Sequence, residues 1–356
     1  MIFRFPVYLV LILFLSACSG PGYYVQAISG QWKLMHARQD IQSLLDNPET
    51  DPGLSKQLKA ADEIRSFAED SLDLPGNGNY SSYVEISGDA VVWNVVATGE
   101  FSLLAKKWCF LVAGCVPYRG FFKQEKAESS AAQLKKKGMD VIVSPASAYS
   151  SLGWFKDPLL STMLTGSDTR LAAYLFHELA HLRLYIKDDV NFNEGYASFV
   201  EQAGVRTWLD SKQQQDKLVQ WQQLQSAEHD FTSLIRKVRE ELARLYQSTD
   251  SEIEKREKKA GILNAFKLSH EQLITKKWSG KRYYSTWLES PVNNARLALY
   301  NAYAGSQCAF QELFKQAKGD MSKFHQLAEQ KSRLEKVKRE EWLKQTCTIA
   351  NSVNDI

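Results

Sequence analysis

The stretch LAAYLFHELAHLRLYIKDDVNFNEGYASFVEQAG, residues 171–204, carries two of the chain's six histidines, His177 and His181, with Glu178 beside the first. On a helix, residues four apart lie one above the other on the same face, so both imidazoles can be offered to one ion. Zinc accepts imidazole nitrogens at about 2.0–2.1 Å, and a catalytic zinc needs a third protein ligand and one open position. Glu194 is the favoured third ligand, because it follows the turn KDDVNFN near the start of a second helix running to about Ala203. Asp188 and Asp189 compete for that place, but they follow the first helix directly and a short turn does not easily fold them back onto His177. Glu178, next to the first ligand, can take a proton from water that a metal ion has acidified. Glu201 lies two helical turns beyond Glu194 and is placed to accept from an imidazole N–H, which fixes that ring's tautomer. The competing reading is a buried His–Glu pair that serves structure alone, since H-E-x-x-H by itself is a weak signal.

Positioning such a group demands particular elements around it. Apolar residues at Leu175, Phe176, Leu179, Ala180 and Leu182 give the His177 segment a helical, buried character, with Ser167 as cap and Asp168 in the first turn. Helical spacing also runs from Trp32 to Leu74, broken by NPETDPG. Turn glycines and β-branched runs predict short strands at about 82–104 and 107–122. A helix is expected over Gln124–Lys137, a strand at MDVIVSP, and a short helix opening at Pro158 and Leu159. Between about 206 and 275 apolar residues recur by threes and fours (Phe231, Leu234, Ile235, Val238, Leu242, Leu245), which predicts a helical hairpin arm. Thr249 with Glu252 fits a capping box for its second helix. The expected class is α+β, mostly helical, with a core carrying both candidate ligand helices at 18–205, the arm at 206–280 and C-terminal helices at 281–356 completing the core.

The chain's beginning, MIFRFPVYLVLILFLSACSG, has one cation, Arg4, an apolar run from Val7 to Leu15 and small residues ending at Cys18. That is the shape of a signal peptide over residues 1–17. Leu15-Ser16-Ala17-Cys18 resembles the lipobox of bacterial lipoproteins, in which the cysteine carries acyl chains after cleavage. Ser19 after the cysteine resembles sorting to the outer membrane, so a periplasm-facing location with a lipid anchor at Cys18 is expected. In an oxidising compartment Cys109 and Cys115 are expected to close a disulfide loop, and Cys308 and Cys347 can pair. With 44 basic and 41 acidic residues in 356, and no concentrated basic stripe, nothing points to nucleic acid.

The segments GWFKDPLLST, FHELAH, FNEGYASFVEQAG and NNARL, together with CSGPGYYVQAISGQW and WCFLVAGCVPYRGFF, resemble the predicted aminopeptidase family of bacterial lipoproteins. These are zinc metallopeptidases of the HExxH-plus-glutamate type, and the resemblance runs from Cys18 to at least Ala304. It implies a zincin-like core, zinc held by His177, His181 and Glu194, Glu178 as catalytic carboxylate and a peptide substrate. It also marks Tyr149 to Phe155, Asn293, Asn294 and Arg296 as family-typical. One departure is Val190, which stands where a small polar residue is usual before FNE. A developing oxyanion needs a further donor, for which Tyr149, Arg296, Tyr300 and Tyr303 are candidates. VIVSPASAYSSLGWF can supply an edge strand for an extended peptide. Aminopeptidase action needs an acid for the free amine, and Glu100, Glu201 and Asp189 are all open. The alternative to an enzyme is an envelope lipoprotein scaffold that binds a partner through the helical arm.

Overall fold

Helical periodicity and burial explain most of the architecture. The computed structural model describes residues 21–110, 114–148, 156–301 and 307–353, so the signal segment, Cys18, Tyr149 and Tyr303 lie outside the described residues. It is α+β and mostly helical. Helix α1 (Pro21–His36) leads to a short strand β1 (Gln39–Asp40), then α2 (Ile41–Asp46) and α3 (Pro52–Leu72). Asp51 caps α3 by accepting from the Leu54 N–H, with Pro52 at the first helical position, where its missing N–H costs nothing. Leu58, Ile64, Ala68 and Leu72 form the buried stripe of α3.

The two expected strand regions break into shorter pieces. These are β2 (Ser82–Val84), β3 (Val92–Thr98), β4 (Trp108–Phe110), β5 (Gly114–Val116) and β6 (Arg119–Phe121), followed by α4 (Gln124–Lys135) and β7 (Asp140–Ala146). β3 lies between β6 and β7, antiparallel to both, and pairs with β7 from Val92↔Ala146 to Thr98↔Asp140. β7 is thus an edge strand of its sheet. β4 and β5 form a hairpin whose Cys109 and Cys115 are joined by the expected disulfide. Cys308 is also disulfide-bonded, and the side chain of Cys347 lies outside the described residues.

The helix expected at Pro158–Leu159 is instead a strand, β8 (Leu159–Leu160), followed by a single 3₁₀ turn at Ser161–Met163. Leu159 and Leu160 pair in parallel with Tyr83 and Val84, and both leucines are almost wholly buried, so sheet pairing overrides the local turn preference.

Helices α5 (Asp168–Arg183) and α6 (Val190–Ser211) follow and form the densest helix pair of the molecule. Their approach depends on Gly204, where a Cβ would come within 2.7 Å of Leu72 and 2.8 Å of the Phe176 ring. The hairpin arm is α7 (Gln215–Gln247) and α8 (Glu252–Lys276). Its second helix is capped by Ser251 and Glu254, not by Thr249 and Glu252: the Ser251 hydroxyl accepts from the Glu254 N–H while Glu254 accepts from the Ser251 N–H. The remaining helices are α9 (Ser285–Glu289), α10 (Asn294–Asn301), α11 (Gln307–Gln316), α12 (Met321–Ser332) and α13 (Lys336–Val353).

The two largest apolar clusters lie around α3, α5, α6, α11 and α12 and along the arm, with smaller ones on the strands. In the first, Phe176, Phe192, Tyr196, Phe310 and Phe324 are fully buried; in the second, Phe231, Phe266 and Leu297 are. Val292 and Leu297 join the arm's cluster, whereas Phe310, Leu313, Phe324 and Leu343 join the α5–α6 cluster, so the C-terminal residues are shared between the two. The arm is tied to the sheet by Arg256–Glu100 at 2.6 Å and Lys259–Asp140 at 2.7 Å.

Candidate metal centre

His177, Glu178 and His181 all lie on α5, which Ser167 caps by accepting from the Arg170 N–H at 3.3 Å. The turn to α6 is locked from both sides. The Asn193 side chain, 2% exposed, accepts from the Ile186 N–H and donates to the Ile186 carbonyl, each at 2.8 Å. Asp189 caps α6 through the Phe192 N–H and is ion-paired with Arg339 on α13 at 2.6 Å. Asp188 takes the left-handed conformation, φ +61°, and its carbonyl accepts from Lys336. One turn into α6, the Tyr196 hydroxyl and His325 Nδ1 stand at 2.7 Å, while His325 Nε2 donates to the Leu72 carbonyl at 2.8 Å. These contacts fix the face that α6 turns toward α5.

That face presents Glu194. Its Oε2 is 3.4 Å from His177 Nε2 and its Oε1 is 3.6 Å from His181 Nε2. One ligand atom from each of the three residues falls within 4.8 Å of the others. On the far side of the first ring, His177 Nδ1 and Glu201 Oε2 are 3.1 Å apart. With the Nδ1 proton donated to Glu201, Nε2 keeps its lone pair for an ion.

The charges fit a cation. Burial alone would discharge His177, but the close Glu194 carboxylate, the hydrogen bond to Glu201 and the surrounding negative charge override it and raise its proton affinity. Burial and the neighbouring His177 push His181 down, so it stays neutral. Carboxylates that favour positive charge at His177, beside an imidazole kept neutral, make this a place suited to a divalent ion. His181 Nδ1 and Glu194 Oε2 are buried with no hydrogen-bond partner among the described residues. Two imidazoles and a carboxylate, with polar atoms left unsatisfied, are the donor set zinc takes.

Glu178 points to a different neighbourhood. It is hydrogen-bonded to Tyr174, one turn earlier on α5, and lies in the field of Asp157 and Glu194. Burial raises its pKa first; His177 and the Tyr174 hydrogen bond pull it down, and Glu194 and Asp157 push it up again, with the balance upward. Tyr80, 5% exposed, shares this field and has φ +57°, a strained conformation for a non-glycine residue. The loop holding it is clamped: Asp157 N–H donates to Asn79 Oδ1, and Tyr80 N–H donates to the Asp157 carbonyl. Sequence reasoning missed Tyr80, Asp157 and Asn193, because their partners lie 78 residues away or in the turn itself. Tyr174 could have been found from its four-residue spacing to Glu178, and Tyr185 from its spacing to His181, whose ring it meets edge-on at 6.1 Å.

The other candidates are distributed differently. Asp189 is spent on Arg339 and Glu100 on Arg256, so neither is a third ligand or a grip for an amine. Arg296 and Tyr300 sit on α10 in the wall of a cavity of about 1150 Å³, not against the imidazoles. Tyr300 pairs with Thr232 at 3.2 Å. Asn293 and Asn294 join α10 to the sheet: Asn293 donates to the Val141 carbonyl at 3.2 Å and Asn294 to the Glu100 carbonyl at 2.8 Å. Glu201 also lines this cavity, beside Glu228, whose pKa burial and then Glu201 raise to about 7.

The family model described as "Putative aminopeptidase" matches residues 22–343, most of the chain. The chain belongs to this family. No protein of curated function and no solved structure matches it.

Proposed function

We propose that the chain is a zinc-dependent aminopeptidase with a zincin-like core, held at the periplasmic face of a bacterial outer membrane by a lipid on Cys18. The observation that carries the catalytic part is the convergence of His177 Nε2, His181 Nε2 and Glu194 within 4.8 Å. The family description supports aminopeptidase action, and the lipobox-like LSAC at residues 15–18 supports the anchor.

His177, His181 and Glu194 would hold the ion. Bound zinc would lower the pKa of a water and polarise the scissile carbonyl. Glu178 would accept a proton from the attacking water and pass it to the departing amine. Glu201 keeps His177 in the tautomer that leaves Nε2 free. Tyr174 holds the Glu178 carboxylate, while Tyr185, packed on a ligand ring, is better placed than Tyr300 to donate to the developing oxyanion. Beyond Val141, whose carbonyl Asn293 already takes, the edge of β7 offers backbone groups to an extended peptide, and Pro145 removes one donor from it.

The test is metal content and turnover in the full chain. One zinc per chain is expected by atomic spectroscopy, with cleavage of free-amine peptides lost on chelation and restored by zinc. A metal-free preparation that takes up no zinc, or cleavage indifferent to chelators, would sink the reading.

Glu201→Gln should weaken zinc binding by about 10- to 100-fold, because the ring it orients loses a charged acceptor. Competition with a chromophoric chelator measures this, and unchanged affinity would mean that Glu201 has no hold on the ligand.

A further inference from the structure

The cavity beside the metal centre contains a cation that no carboxylate among the described residues neutralises. Arg296 stands in the first turn of α10, its backbone N–H donating to Asn293 Oδ1 at 3.1 Å. Its Nη1 donates to the Trp287 carbonyl, and its guanidinium carbon lies 5.1 Å from the centroid of the Trp287 ring. Nε is buried with no acceptor among the described residues. With Nη1 engaged, the guanidinium keeps its Nε–Nη2 edge, the fork that binds a carboxylate through two parallel hydrogen bonds. Burial alone moves its proton affinity, downward, and no carboxylate counteracts it. The two acids that share the cavity do not serve: Glu201 is bonded to His177, and Glu228 is raised by burial and by Glu201 with no contribution from Arg296.

The cavity also adjoins the proposed ion. Ala173 lines it and lies one helical turn before His177 on the same face of α5, about 6 Å along the axis. Ser144 and Pro145 of the β7 edge line the same space. A peptide that entered this cavity from the imidazoles, past Ala173 and Glu201, would meet Arg296 in the same wall.

We propose that Arg296 receives a carboxylate of the substrate, so that the cavity selects short peptides whose chain end, or whose acidic side chain, reaches the guanidinium. This deepens the peptidase reading and takes the substrate class from it.

Binding read without turnover tests it. Isothermal titration calorimetry on the full chain reads occupancy. Trialanine, trialanine amide and Ala-Asp-Ala amide are the probes. Trialanine should bind about 10- to 100-fold tighter than its amide, the range for hydrogen bonds between charged groups. Arg296→Met should abolish that difference, and Arg296→Lys, which keeps the charge without the fork, should retain part of it. If Ala-Asp-Ala amide shows the Arg296-dependent gain instead, the carboxylate is a side chain and the assignment stands. Equal binding of all three probes by the wild type, or a preference that survives in both variants, would overturn it. Peptides that bind in this way but are never cleaved would overturn the peptidase reading and leave Arg296 as a carboxylate receptor.

Discussion

Glu178→Gln should lower kcat by about 10²- to 10⁴-fold, the usual contribution of a positioned acid–base group, while the protein still binds zinc. Glutamine keeps the size of the side chain and its ability to accept from Tyr174, so α5 and its ligands stay in place. What it loses is the capacity to take a proton. The enclosure that raises the Glu178 pKa makes it a stronger base than an exposed carboxylate, because its ionised form is poorly solvated. The sign for pH follows: activity needs the ionised form, so kcat/KM falls as pH drops through a pKa lying above the ordinary carboxylate range. That acid limb should be absent from whatever residual rate the variant shows. A variant that keeps full activity would remove Glu178 from the chemistry.

Much of this centre was legible in the sequence because its geometry is local. The four-residue spacing of His177 and His181 becomes a shared face once the segment is helical. The seven-residue spacing of Glu194 and Glu201 does the same for α6. The turn between the helices was the hard part, and its folding rests on contacts that a linear pattern does not carry. Asn193 looks like an ordinary polar residue beside the ligand, yet it clamps both backbone groups of Ile186. Asp189 reads as a spare acid until Arg339, 150 residues later, closes on it. Glu100 is the same case with Arg256.

Arg296 and Tyr300 show the opposite failure. Their types suit an oxyanion, but α10 is pinned to the sheet by Asn293 and Asn294, and that docking sends both side chains into the cavity wall. Strand boundaries failed for a similar reason. Val95, Val96 and Ala97 are all buried, because α4 and α10 both pack on this sheet, so the alternation that marks a half-exposed strand is missing from β3.

Asp189→Asn should destabilise the zinc-free protein by about 3–5 kcal/mol, the penalty for leaving one member of a buried ion pair without its partner. The pair is almost dry, with side-chain exposures of 9% for Arg339 and 3% for Asp189. Arg339 Nε and Nη2 both reach Asp189 Oδ2, at 2.8 and 2.6 Å, and Nη1 donates to the carbonyls of Ser332 and Leu334. Removing the aspartate charge strands a guanidinium between α13 and the α5–α6 turn, and it also weakens the cap on α6. Arg339→Met should cost a similar amount by stranding the carboxylate. The double variant Asp189→Leu, Arg339→Met should recover much of the loss, since an apolar pair of similar volume carries no desolvation penalty. Urea unfolding of the single and double variants measures the coupling. Because the same turn aims Glu194 at the imidazoles, the single variants should also bind zinc more weakly, although neither residue touches the ion's site. Additive losses in the double variant would show that the two residues act separately and that no latch joins α13 to the turn.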